Sequence, residues 1–161
     1  MTTEIRFEPT LFLFLGTSAG QIGWRLKELL RRAYGDIPIL RFLWVDADST
    51  VDPYAAGWFS PTERTELVGF NGDAVLSNLG NYPCIREWWP RESRLKAGFV
   101  NRGAGQMRPV GRLALFRMFN DRTSGPAFID KLRQATEAIL QIENIDATEQ
   151  RVVSLLRAEA K

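Results

Sequence analysis

Thr10-Leu11-Phe12-Leu13-Phe14-Leu15-Gly16-Thr17-Ser18-Ala19-Gly20-Gln21-Ile22-Gly23 is the stretch on which the fold turns. Thr10 to Leu15 is a continuous apolar run closed by a glycine, the pattern of a strand buried on both faces of a parallel sheet. Small residues follow, and then Ile22, Leu26, Leu29, Leu30 and Ala33 recur at helical spacing, with Lys27, Arg31 and Arg32 between them. Pro38 opens a second apolar run, Ile39 to Val45. Strand, helix and strand make a βαβ unit, with a right-handed crossover expected, and such a unit makes the sheet parallel. The expected fold class is α/β: a Rossmann-like, mostly parallel sheet flanked by helices, with residues 1–9 as a lead-in and 10–161 as one region.

In open parallel sheets ligands settle beyond the carboxyl ends of the strands, which directs attention to Gly16–Gly23 and to Asp46-Ala47-Asp48-Ser49. The first loop offers small residues, backbone N–H groups and the Thr17 and Ser18 hydroxyls, all suited to phosphate. The second offers carboxylates that accept from a ribose or hold hydrated magnesium, although an Asx-type turn at a strand exit uses the same residues. A third candidate is Gly103-Ala104-Gly105-Gln106-Met107, where two glycines run into an apolar helix. That arrangement serves either as an anion cradle or as a plain turn. Arg108 and Arg112 share one face of the helix, placed to meet an acidic ligand or to stay solvated.

The 161 residues are 45% hydrophobic, enough for one globular domain burying roughly 70% of the surface its unfolded chain exposes. The formal charge is +2 and the arginines are spread along the chain, which gives no electrostatic ground for nucleic acid or membrane as partners. Histidine is absent and Cys84 is the single cysteine. The usual zinc ligands, an internal disulfide, and Ser-His or Cys-His catalytic pairs are thereby excluded. No apolar run nears the roughly 18 residues of a membrane span and the N-terminus lacks a signal-peptide pattern, so a cytoplasmic location is expected.

Thr50 to Gly72, rich in Pro, Gly, Asp and aromatics, reads as a long surface excursion with one short helix. A turn or two of helix is expected in Asp73–Leu79, and Trp88-Trp89 reads as a packing pair. The helix after Gly103 is apolar nearly all round from Val110 to Phe119, so deep burial is expected apart from its arginine edge. Asn120 to Pro126 reads as a polar turn, and Phe128, Leu132, Ala135, Ile139 and Ile142 mark the clearest helix. Arg151-Val152-Val153-Ser154-Leu155-Leu156 begins like a core strand.

Taken in this order, the three loops resemble those of the tubulin and FtsZ superfamily, most closely its bacterial tubulin-like proteins. Gly103-Ala104-Gly105 followed by Gly111 keeps the spacing of the FtsZ-type third loop. Gly16 and Gln21-Ile22-Gly23 stand in register with tubulin's Gly-Gln-Cys-Gly-Asn-Gln-Ile-Gly, and Val45-Asp46-Ala47-Asp48 is similar to the Asn-Thr-Asp of FtsZ. The resemblance implies a guanine-nucleotide site for GTP or GDP, with Mg2+ beside the phosphates. That site would draw on Gly16, Thr17, Ser18, Ala19, Gly20 and Gln21, on Asp46 and Asp48, and on Gly103, Ala104, Gly105, Gln106 and Met107. Gln21 would lie near the base or ribose and Asp48 on the phosphate and magnesium side. Ser18 and Ala19 depart from the double glycine of bacterial relatives, and Gln106 and Met107 from less bulky residues.

The family's Gly-Gly-Thr-Gly-Ser-Gly loop, base-binding loop, central helix and catalytic acidic loop are not found in these 161 residues. The expectation is therefore an N-terminal part of a longer tubulin-like protein, whose parent binds guanine nucleotide and self-associates in response to it. The chain alone is expected to bind GTP weakly or not at all, and no catalytic residue is assigned. An interaction module on the same fold, with no need of nucleotide, is the alternative. A dinucleotide-dependent oxidoreductase fits least, because Gly16–Gly23 lacks the G-x-G-x-x-G spacing.

Overall fold

The computed structural model describes residues 7–48, 57–67, 69–90, 97–100, 104, 107–141 and 143–148. The strand expected at Arg151–Leu156 lies outside them, as do Gly103, Gly105, Gln106 and Ile142. Strand β1 (Thr10–Leu15), helix α1 (Thr17–Tyr34) and strand β2 (Leu40–Asp46) form the expected βαβ unit. β1 pairs in parallel with β2 from Thr10 opposite Leu40 to Leu15 opposite Val45, and β2 pairs in parallel with β3 (Arg64–Glu66). A two-stranded antiparallel pair, β4 (Phe70–Asn71) and β5 (Phe99–Val100), stands apart from this sheet. Helices α2 (Gly72–Ser77), α3 (Pro83–Trp88), α4 (Arg108–Asn120) and α5 (Ser124–Leu140) follow, and residues 143–148 are helical as well.

The pairing register sets Phe12, Phe14, Phe42 and Trp44 on one face of the sheet, where α1 packs. The two fully buried residues of α1 are Gly20 and Gly23. A Cβ at Gly20 would overlap the Trp44 indole, and one at Gly23 would stand 2.7 Å from the Phe14 ring. Bulk comes from the strands, and the helix supplies the space. Trp44 has 0% exposure, and its indole N–H donates to the Gly16 carbonyl at 3.1 Å.

This seating changes two expectations. Leu26 and Leu30 pack inward, but Ile22 and Leu29 face outward at 66% and 65% exposure. Hydrophobic periodicity centred the inward stripe on the leucines because glycine adds nothing to an apolar count. Nor is β1 buried on both faces: Leu13 and Leu15 are 46% and 51% exposed. Among the described residues β2 is its one strand neighbour.

The opposite face carries the second core, where Val45, Ala47 and Leu67 meet Val110, Leu113, Ala114 and Met118 of α4 and Phe128 of α5. Burial of α4 is less complete than its composition predicts, since Phe119 lies half exposed at its end. Strand β3 corrects the reading of 50–72 as a surface excursion. Its Arg-Thr-Glu sequence has no apolar alternation and is held mainly through backbone and flanking charge. The Trp44 N–H donates to the Glu63 carbonyl and the Leu67 N–H to the Asp46 carbonyl, each at 2.7 Å. From α1, Lys27 Nζ donates to both Glu63 carboxylate oxygens, at 2.6 and 2.8 Å, and to the Trp58 carbonyl at 2.9 Å. From α5, Lys131 Nζ donates to the carbonyls of Pro61 and Arg64.

Between α4 and α5, Asp121 Oδ1 accepts from the Ser124 N–H (2.8 Å), the Ser124 hydroxyl (2.7 Å) and the Thr123 N–H (3.0 Å). These bonds, led by the Ser124 backbone, hold its carboxyl below the ordinary 3.8.

Two expectations can be measured by urea unfolding. In a free helix Gly→Ala gains about 1 kcal/mol, yet Gly20→Ala lowers stability here because overpacking costs about 1–3 kcal/mol. Leu29→Ser stays within about 0.5 kcal/mol of wild type. A stabilised Gly20→Ala protein would mean that the indole moves aside freely. The second concerns pH. Because folding lowers the Asp121 pKa, its contribution is complete above the unfolded value and is lost as pH falls through the folded one. Asp121→Ala therefore destabilises at pH 7 but converges with wild type in strong acid, and a gap independent of pH would refute the assignment.

Candidate functional site

Gly16 closes β1 and opens α1 in one residue, at φ 88°, a backbone state that favours glycine. Its N–H donates to the Val45 carbonyl at 2.8 Å, and its carbonyl accepts the first α1 bond from the Gly20 N–H at 2.9 Å. The N–H groups of Thr17, Ser18 and Ala19 thus belong to the unpaired first turn, with no capping side chain and no acidic residue among them. An 18-residue helix concentrates the positive end of its dipole at that point.

Asp46 ends β2 beside this turn at 4% exposure. Its Oδ1 accepts from the Asp48 N–H at 3.1 Å, which is the Asx-type turn that the sequence allowed. Its Oδ2 is buried without a hydrogen-bond partner. A buried carboxylate oxygen left unpaired is costly, and a donor arriving with a ligand removes the cost.

The third side of the site is the start of α4. Met107 occupies the cap position without a side-chain bond, and its carbonyl accepts from Val110 (3.0 Å) and Gly111 (3.1 Å). Pro109 has no N–H to offer. A Cβ at Gly111 would lie 3.6 Å from that of Ala104, so Ala104 sits close against the start of the helix. Together these elements enclose a cleft of about 650 Å³ at the carboxyl ends of β1 and β2, within the size range of small-molecule sites.

The structure gathers Gly16, Thr17, Ser18, Asp46, Ala104 and Met107 around this cleft, six of the residues named from the sequence. Ala19, Gly20 and Gln21 are helical and do not line it; Gly20 lies under Trp44 and Gln21 is exposed. Asp48 is half buried and bonded to Asp46. Walls unforeseen from the sequence come from Leu67, Ala114 and Leu115, while Ala47 of the second loop and the arginine pair Arg108 and Arg112 line it as well. Leu67 escaped notice because it follows the unrecognised β3.

A smaller cleft of about 420 Å³ lies at the amino end of β2 between Lys27, Asp36 and Arg41. It lacks the convergence of strand ends and helix starts. Among the described residues no group of three or more His, Cys, Asp or Glu is placed to hold a metal. Any magnesium at the larger cleft would rely on ligand oxygens and water beside Asp46. No described helix is long and apolar enough to cross a membrane.

Comparison with curated proteins and with solved structures gives no match. A family model described as "Tubulin like" matches residues 11–158, nearly the whole chain and all three loops. With a parallel sheet, flanking helices and the loop order of that family, the chain belongs to the tubulin-like proteins.

Proposed function

We propose that the cleft between α1, β2 and α4 is a guanine-nucleotide site, to which this chain supplies three of the loops. The observation that carries the reading is Asp46: a buried carboxylate with one unpaired oxygen, lining a cleft toward which two uncapped helix starts are turned. In this reading the N–H groups of Thr17 and Ser18 receive phosphate oxygens, as helix N-termini do. Asp46 Oδ2 accepts from a ribose hydroxyl or from water on Mg2+, and Asp48 stands beside it. GTP and GDP are the ligands that family membership supports, and nucleotide-linked self-association of the full-length protein is the corresponding larger function.

Affinity follows from the number of such bonds. Micromolar binding needs about 8 kcal/mol, and each charge-assisted hydrogen bond is worth roughly 1.5–3 kcal/mol. These residues contain no Gly-Gly-Thr-Gly-Ser-Gly loop, so the 161-residue chain binds GTP more weakly than micromolar. The aliphatic walls at Leu15, Val45, Ala47 and Leu67 support a second reading, in which an apolar segment of a protein partner occupies the cleft without nucleotide.

Asp46→Asn separates these ideas. Neutralising an unpaired buried carboxylate raises stability by about 1 kcal/mol, while GTP affinity, measured by ligand-observed NMR with Mg2+, falls. A destabilised variant would show that the carboxylate is already satisfied. Unchanged GTP affinity would remove Asp46 from the site, and a low-micromolar constant for wild type would overturn the weak-binding expectation. Absence of any GTP response, with sedimentation of the full-length protein unchanged by nucleotide, would favour the apolar-partner reading.

A further inference from the structure

We infer that Arg112, laid on the Trp88 indole, is the fixed cation of the cleft and sets its preference for ligands with a di- or triphosphate over the monophosphate. The inference rests on the nucleotide reading of the cleft. Arg112 Cζ lies 4.4 Å from the Trp88 ring centroid, whereas the other cation–aromatic contacts among the described residues span 5.4 to 5.9 Å. Trp88 is itself restrained: it packs on the second core and against Trp89, 5.9 Å away between centroids, which is 8% exposed.

A guanidinium stacked on a ring spends none of its five N–H donors, which project in the plane of the group. Arg112 has no carboxylate partner among the described residues. It is therefore held over a ring, free of any ion pair among the described residues, and part of the lining of the cleft. Arg108, one turn earlier, has no such platform among the described residues and must lose side-chain freedom to bind. Among the described residues the lining carries two arginines against one carboxylate, that of Asp46, and α4 has no acid in its first turn. A polyanion is the ligand that this balance favours. The planar fork of Arg112 matches paired phosphate oxygens better than an ammonium would. Trp88 is a positioning residue: it holds the guanidinium without touching the ligand.

The test uses the 161-residue chain with Mg2+ and four probes, inorganic tripolyphosphate, GTP, GDP and GMP, followed by phosphorus NMR at millimolar concentration. Arg112→Gln is expected to weaken tripolyphosphate and GTP by about tenfold, the size of one charge-assisted bond, and GMP by less than about twofold. Arg112→Lys recovers part of the loss. Trp88→Leu weakens GTP by about threefold and Trp88→Phe restores it, since only a flat ring keeps the guanidinium in place. Circular dichroism checks that each variant folds, and the GTP-to-GMP ratio is a readout that general destabilisation does not move.

If GTP binds and Arg112→Gln leaves the ratio unchanged, this assignment falls and the nucleotide reading stands. If tripolyphosphate depends on Arg112 but guanosine adds nothing, the assignment stands and the guanine reading falls. Should wild type respond to none of the four probes, both are overturned.

Discussion

The contact on which the rest depends is that between Trp44 and Gly20. An indole with 0% exposure projects from the middle strand into space that only a glycine on the covering helix leaves open. Phe14 and Gly23 repeat the arrangement one strand away. Close packing of this kind fixes the height and rotation of α1 over the sheet, because any added atom at those two positions meets a ring. The indole N–H then reaches the Gly16 carbonyl, so the same side chain that seats the helix also ties down the turn from which it starts.

The geometry of the candidate site follows from that seating. Gly16 can end a strand and begin a helix only because its positive φ is accessible to it. The first turn of α1 consequently stands over the carboxyl end of the sheet, where β2 delivers Asp46. That carboxylate sits at the boundary between the two cores, with Val45 and Ala47 of the second core on either side. A buried oxygen without a partner is unfavourable in the folded protein by itself. The cleft at the amino end of β2 also holds an unpartnered buried atom, Arg41 Nε, so what distinguishes this one is the convergence of strand ends and helix starts around it.

The third element, β3, shows how weak local preference is overridden. Nothing in Arg-Thr-Glu calls for a strand, yet Lys27 from one side of the sheet and Lys131 from the other anchor the segment on Glu63 and on backbone carbonyls. Both lysines are drawn inward to do so, and burial lowers the Lys131 pKa. Adding β3 brings Leu67 to the end of the sheet, where it closes a wall of the cleft. A segment that appeared external is thus part of the site's enclosure.

Elements with local causes are written in the order of the residues. The apolar runs at 10–15 and 39–45, the glycine at 16 and the repeat through Phe128 and Ile139 specified a βαβ start, its parallel pairing and the long helix α5. The order and spacing of the three loops specified the family. Six residues of the cleft lining were legible for the same reason, since strand ends and glycine turns carry their signal within a few residues. Three-dimensional packing selected which face of α1 is buried, because that depends on a void in one element and an aromatic ring in another. It also decided the existence of β3, which rests on partners 36 and 67 residues away in sequence, and the stacking of Arg112 on Trp88. Each of these is a relation between distant side chains, and a period of 2 or 3.6 along the chain holds no record of it.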